Sequence, residues 1–199
     1  FDNSYFHISP AETAAMDPHQ RLLLETGYAG LAACGESRRS LLSGAIAVLV
    51  GIMTDGEWSA GQQKAMQGKP MSAFAANGSG PAGLAGRVSF VLGLKGPCFS
   101  VTTVCSSSLV VLDVGCQNLR LGRCSAAVVG GVNMISDPVG FLVYGEALAP
   151  DGKCKTFDAA ANGLGRGEAS GALVLACVHD CAQNGSRVAG SGVNQDGRS

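Results

Sequence analysis

The chain has 199 residues, 46% of them hydrophobic and 15% charged, with 29 glycines, a composition that suits one α/β domain with a sizeable core and many tight turns and excludes a disordered or fibrous chain. Fourteen basic and 15 acidic side chains leave a formal net charge of -1, which offers no electrostatic footprint for nucleic acid or an anionic membrane. No apolar run reaches the roughly 18 residues of a membrane span, and the opening FDNSYFHISP lacks the charged and apolar regions of a secretory signal. The first residue is not Met, so any targeting segment is expected outside this chain.

The first elements are marked by their caps. In SPAETAAM, Ser9 as N-cap, Pro10 at the first helical position and Glu12 three residues into the helix make a capping box. Asp17, Pro18 and Gln20 repeat the arrangement ahead of a second helix that Gly35 stops. GAIAVLVGI (44–52) is continuously apolar and β-branched, the pattern of a strand covered on both faces. Residues 55–80, around Trp58, read as an irregular excursion with one short helix.

Farther along, Leu84, Val88 and Val91 or Leu92 predict a helix over 80–94 that ends at Gly93. PCFSVTTV (97–104) predicts a short strand, and Leu109, Leu112, Cys116 and Leu119 the buried face of the helix after it. SAAVVGGVNMI (125–135) predicts a buried strand, DPVGFLVYGEAL (137–148) a helix, and EASGALVLACV (168–178) another long apolar strand. Strands alternating with helices imply α/β layers. No repeat, linker or low-complexity segment divides the chain, so residues 1–199 are expected to form one unit.

Eight cysteines stand at 34, 98, 105, 116, 124, 154, 177 and 181 with no C-x-x-C pair, and His7, His19 and His179 do not interleave with them at ligand spacing, so no metal site is expected. Most of these cysteines lie in apolar runs, as free thiols do in a reducing compartment; the expected setting is intracellular and cytoplasmic. Cys105 is different in its context, TTVCSSSLVVL (102–112). A cysteine where a buried strand feeds a helix gains from the helix's first N–H groups and dipole, which favour a thiolate and can hold an oxyanion. Ser106, Ser107 and Ser108 are small and can satisfy first-turn donors. Pattern alone leaves open the alternative that Cys105 is a small buried hydrophobe like Cys116 or Cys177. No histidine has the local signature of a cysteine protease, and GSG at 78–80 lacks the spacing of a serine nucleophile elbow.

VCSSSL (104–109), AMDPHQRLLLE (15–25), AGRVSFVLGLKGP (85–97), GGVN (130–133), APDGKCKTFDAAANGLGRGE (149–168) and VNQDGRS (193–199) together resemble the β-ketoacyl synthase domain of type I polyketide synthases, in its order and spacing over nearly the whole chain. The resemblance implies a thiolase-like fold of five layers, α-β-α-β-α, of which this chain is mainly the N-terminal half, and a homodimer working with acyl carrier protein and other polyketide synthase domains. It implies that Cys105 is the catalytic acyl acceptor, its backbone N–H one oxyanion donor. Substrates would arrive as phosphopantetheine thioesters on acyl carrier protein or coenzyme A, with no cofactor or metal bound by the chain. The alternatives from other classes are a non-catalytic synthase-like partner and another thiolase-like acyltransferase or cysteine hydrolase.

The chain departs from the family in having Thr102, Thr103 and Val104 where Asp-Thr-Ala is common, which is expected to alter packing beneath the cysteine more than the reaction type. Ala169 and Ser170 replace a glycine and another small residue. The family's first strand is expected before residue 1, and its catalytic histidines, lysine and second oxyanion donor after Ser199. His7, His19 and His179 match none of those motifs and are expected at surface or capping positions. Two lysines of DGKCKTFD could meet an acidic carrier protein, but a solvated loop with Asp158 in an ion pair is the favoured reading. Arg166 and Glu168 are expected to serve loop architecture; Phe74, Asn77 and Gly78 are expected near an acyl tunnel and dimer contact.

Overall fold

The computed structural model describes residues 1–53, 73–78, 80–177 and 186–198. Among them one four-stranded sheet organises the chain, in the order β2-β1-β3-β4, with β1 Ile46–Ile52, β2 Cys98–Val101, β3 Ala126–Asn133 and β4 Ala169–Ala176. β1 pairs in parallel with β2 and β3, while β4 runs antiparallel to β3 at the edge. The helices are α1 Pro10–Ala15, α2 Pro18–Ala33, α3 Arg38–Leu41, α4 Ala73–Gly78, α5 Pro81–Leu92, α6 Ser107–Arg120 and α7 Val139–Val143. The predicted elements are present in their predicted order; Trp58 and most of 55–80 lie outside the described residues, and α4 closes that stretch.

Every residue of β1 is buried, because its two faces pack on different helices. Ile46, Val48, Val50 and Ile52 join Leu23, Leu24, Leu84 and Val88 in the core beneath α2 and α5. Ala47 and Leu49 join Val111, Ala127 and Val129 beneath α6 on the opposite face. The period of two along a strand therefore sorts β1 between two cores. Gly93 ends α5 in the left-handed region at φ 71°, where glycine carries no steric penalty.

Four expectations change. The fully buried residues of α6 are Ser107, Val111, Asp113, Gly115 and Asn118; of the predicted stripe, Leu112 and Leu119 pack half-buried against the same core and Cys116 is half-buried, and only Leu109, 69% exposed, lies off it. Small residues face the sheet because α6 lies close to it: a Cβ at Gly115 would press on Val129 and Leu175. β4, read as a long apolar strand, lies at the sheet edge with alternating burial, and Leu173 is 58% exposed. The predicted helix over 137–148 is the short α7 followed by a 3-10 turn at Gly145–Ala147. Finally, the two predicted capping boxes are half formed. Ser9 and Asp17 do accept from Glu12 N–H and His19 N–H at 3.2 and 2.9 Å. Glu12 and Gln20 instead reach Arg87 of α5.

Candidate active site

β2 leaves the sheet at Val101, and the chain crosses two residues to a 3-10 turn at Val104–Ser106 that runs directly into α6. Cys105 is the middle residue of that turn and is exposed. The alternative of a buried hydrophobe is thereby removed for Cys105; among the described cysteines only Cys124 is buried, with Cys116 half-buried and Cys177 exposed. The expectation that most cysteines are core residues is corrected accordingly, since the apolar runs that hold them are largely edge strands and helix ends.

Side-chain hydroxyls hold the turn in place. Ser107 Oγ accepts from Thr103 N–H at 2.8 Å and donates to Val104 O at 2.7 Å. Ser106 Oγ donates to Thr103 O at 2.8 Å and lies 2.9 Å from Thr103 Oγ1. Val104 takes φ 56°, a left-handed conformation that is unfavourable for a β-branched residue. That strain sits immediately before the cysteine, at one of the three positions where this chain departs from the family pattern.

The turn opens onto a cavity of about 540 Å³, within the size range of small-molecule sites. Cys105, Val104, Ser107 and Ser108 line it from the turn, Gly51, Ile52, Met53, Gly131, Val132 and Asn133 from the ends of β1 and β3, and Ala169 and Gly171 from the start of β4. It thus occupies the carboxyl ends of the parallel strands, where open α/β sheets bind ligands. Tyr144, Leu164, Arg166 and Gly167 form the remaining wall. The strand glycines escaped the sequence reading, although a glycine interrupting a β-branched strand is a signal for close backbone approach.

The flanking loop is built as expected for Glu168, whose carboxylate accepts from Ile135 N–H at 2.7 Å, while Asn133 Nδ2 donates to Gly167 O at 2.6 Å. Arg166 adds a feature beyond loop architecture: its guanidinium lies 5.3 Å from the Phe141 ring centre and 5.6 Å from that of Tyr144, which places a cation on the cavity wall. Lys155 binds Asp151 and Asn162 at 3.0 and 2.6 Å. Among the described residues Asp158 has no ion pair; its carboxylate accepts from Ala160 N–H at 2.8 Å and so closes a turn.

Other expected residues fall elsewhere. His19 is buried, with Nδ1 2.6 Å from Asp17 Oδ1 and Nε2 accepting from Met134 N–H at 3.0 Å. It caps neither the surface nor a helix end; it ties the start of α2 to the end of β3. His7 is exposed, and His179 lies outside the described residues. Phe74 and Gly78 do not line the cavity. Gly78 packs on Ala15 and its carbonyl accepts from Asp17 N–H at 2.9 Å; the side chain of Asn77 is not among those described. Among the described residues no helix is long and apolar enough to cross a membrane.

A strand, a strained cysteine turn and a helix over a cavity at the strand ends define an α/β protein of the thiolase-like class. The chain belongs to the β-ketoacyl synthase family, whose N-terminal domain model matches residues 1–180. It is 42% identical over 205 residues to polyketide synthase GfsE of Streptomyces halstedii and 41% identical over 204 residues to the partially reducing polyketide synthase tpeA of Talaromyces stipitatus. Both alignments take in 100% of this chain, but only 5% and 8% of those relatives.

Solved structures agree. The ketosynthase from module 6 of the bacillaene synthase of Bacillus subtilis 168 superimposes with a TM-score of 0.79 at 35% identity, over 90% of this chain and 30% of that one. The oxazolomycin ketosynthase domain of Streptomyces albus JA3453 gives 0.80 at 35% identity, over 90% and 32%.

Proposed function

We propose that Cys105 is the acyl acceptor of a polyketide β-ketoacyl synthase. One observation carries the reading: in a chain of this family, an exposed cysteine at the start of α6 lines the cavity at the strand ends. The Cys105 thiolate attacks the carbonyl carbon of an acyl thioester; the new S–C bond forms, the old one breaks, and the departing thiolate takes up the proton that Cys105 released. The Cys105 N–H sits in the 3-10 turn that leads into α6, and is the donor for the oxyanion.

In the whole synthase this transfer precedes a decarboxylative condensation. A malonyl-type extender on acyl carrier protein loses CO₂, and its carbanion attacks the acyl-cysteine. That step needs groups to stabilise an enolate, and His7, His19 and His179 do not match the family's histidine motifs. Acyl carrier protein, a second copy of the synthase and the other polyketide synthase domains are its partners, and phosphopantetheine thioesters its substrates. A non-catalytic partner role is disfavoured because such a protein has no use for an accessible thiol at the cavity.

The test is intact-mass and peptide mass spectrometry of the polypeptide that carries this chain, after incubation with an acyl thioester. Acyl mass on Cys105, lost in Cys105→Ala, is expected; acyl mass on another cysteine overturns the assignment.

A further inference from the structure

His19 is a buried imidazole that the acyl transfer does not use, and both of its ring nitrogens are engaged. Nδ1 stands 2.6 Å from Asp17 Oδ1, and Nε2 stands 3.0 Å from the Met134 backbone nitrogen. A carboxylate accepts, so Nδ1 carries a proton, and a nitrogen that receives the Met134 N–H carries none. Asp17 thus selects the tautomer in which Nε2 is an acceptor, since the hydrogen bond at one ring nitrogen sets the role of the other. Asp17 is itself buried and fixed: its Oδ1 also accepts from His19 N–H at 2.9 Å, and its own N–H donates to Gly78 O at 2.9 Å.

Met134 lies one residue past the end of β3, beside Asn133, which lines the cavity together with Cys105. A part-buried backbone N–H beyond the sheet ladder needs an acceptor from elsewhere, and His19 supplies it from the start of α2, 115 residues away in sequence. The neighbours of Met134 are held from the other side. Asn133 Nδ2 donates to Gly167 O at 2.6 Å, and Ile135 N–H donates to the Glu168 carboxylate at 2.7 Å. Gly167 belongs to the same cavity wall. Three consecutive residues are therefore clamped between α2 and the loop before β4, with His19 as the anchor on the α2 side, and the cavity rim inherits their position.

We propose that His19 is a positioning residue for acyl transfer at Cys105: as an Nε2 acceptor it fixes Asn133, and through it the Gly167 loop, at the rim where the thioester binds. The inference rests on the reading of Cys105 as acyl acceptor and adds a residue outside the cavity on which that site depends. The ring is not part of the cavity lining, so its loss acts on how well the rim receives a thioester and not on the reactivity of the sulfur.

The experiment uses the polypeptide that carries this chain, as wild type, His19→Gln and His19→Asn. Gln brings an amide oxygen to the reach of Nε2 and can accept from Met134 N–H. Asn reaches only as far as Nδ1, so it keeps a donor for Asp17 and offers Met134 nothing. Acylation of Cys105 is timed by mass spectrometry over a range of acetyl-N-acetylcysteamine thioester concentrations, alongside alkylation by iodoacetamide, urea unfolding and hydrogen exchange of the peptide that contains Met134. In His19→Asn the half-saturating thioester concentration is expected to rise about five- to tenfold, the worth of one hydrogen bond, with the limiting rate and the alkylation unchanged and faster exchange at Met134. His19→Gln is expected to stay close to wild type. A lowered urea midpoint with an unmoved half-saturation in His19→Asn overturns the proposal, because it shows a ring that only supports the fold. Equal impairment in both variants overturns it too. A Met134 amide that exchanges in wild type as fast as an exposed loop amide overturns it without any variant, which decides the matter even where His19→Asn fails to fold. A wild type that the thioester does not acylate at Cys105 refutes the reading of the site itself, a result distinct from an unmoved half-saturation.

Discussion

Gly51 of β1 lies directly beneath the Ser108 backbone: a Cβ at 51 would stand 2.5 Å from the Ser108 nitrogen and 2.6 Å from the Ser107 carbonyl oxygen. These are backbone atoms, which cannot rotate aside, so Gly51→Ala must displace the start of α6 and with it the cysteine turn. Overpacking of this kind costs about 3 kcal/mol, the upper end of the usual range. Gly131→Ala, whose closest contact is the Ser108 Cβ at 3.0 Å, is expected to cost about 1 kcal/mol. Urea unfolding of the two variants in the polypeptide that carries this chain checks the order; equal midpoints would show that α6 is free to shift.

Arg87 supplies the second prediction. From α5 it donates to the Glu12 carboxylate of α1 and, through Nε at 3.3 Å, to Oε1 of Gln20 in α2. Gln20 is fully buried and its Nε2 donates to Gly78 O at 3.2 Å. Arg87→Ala removes the cation that pairs with the mostly buried Glu12 carboxylate and donates to Gln20, at a cost of about 2–3 kcal/mol. Arg87→Lys keeps the charge but cannot serve both acceptors with one planar fork, and it is expected to lose about half as much. A lowered urea midpoint at constant slope is the readout.

These two relationships also mark where the sequence stopped being legible. β1, β3 and α5 were readable because their signals are local: an unbroken β-branched run, or a helical stripe closed by Gly93. The order strand, cysteine, helix was readable for the same reason. The row of Gly51, Gly131 and Gly171, paired across β1, β3 and β4, was not, because it depends on the register between strands far apart in the chain. Glu12 and Gln20 fit a local capping pattern, yet Arg87, remote in sequence, competes for both side chains. The face of α6 was read correctly for Leu112 and Leu119, which pack half-buried on the core, but Leu109 was misassigned because it looks like a core residue, whereas close packing on the sheet favours Val111 and Gly115.

Cys124, at the turn into β3, carries a pH dependence. Burial pushes its thiol up, against a smaller opposing effect of the Ala47 backbone hydrogen bond. The folded protein therefore keeps its proton longer than the unfolded chain does. Below the ordinary thiol range both states are protonated and the contribution is fully present; as pH rises through that range the unfolded chain ionises first and stability is lost until the folded thiol also ionises. Wild type and Cys124→Ala are expected to converge in urea midpoint as pH rises past the ordinary thiol value. A gap that stays constant from neutral to alkaline pH would contradict the assignment.

Val104 gives the last prediction, because it combines strain with position. It holds φ 56° one residue before Cys105 and is 55% exposed, so its isopropyl group gains little from burial to offset an unfavourable backbone. Val104→Gly removes the left-handed penalty of about 1–2 kcal/mol, against an entropic cost to the unfolded chain of about 0.5–1 kcal/mol. The net expectation is a stabilisation of roughly 0.5–1 kcal/mol. The same change loosens the turn: with the left-handed residue no longer fixed by its side chain, the cysteine samples more orientations, and acylation of Cys105 slows although the protein melts at a higher temperature. Thermal unfolding and the acylation rate, measured on one preparation, test the pair. Gains in both, or losses in both, would mean that the strain at Val104 is not what holds Cys105 toward the cavity.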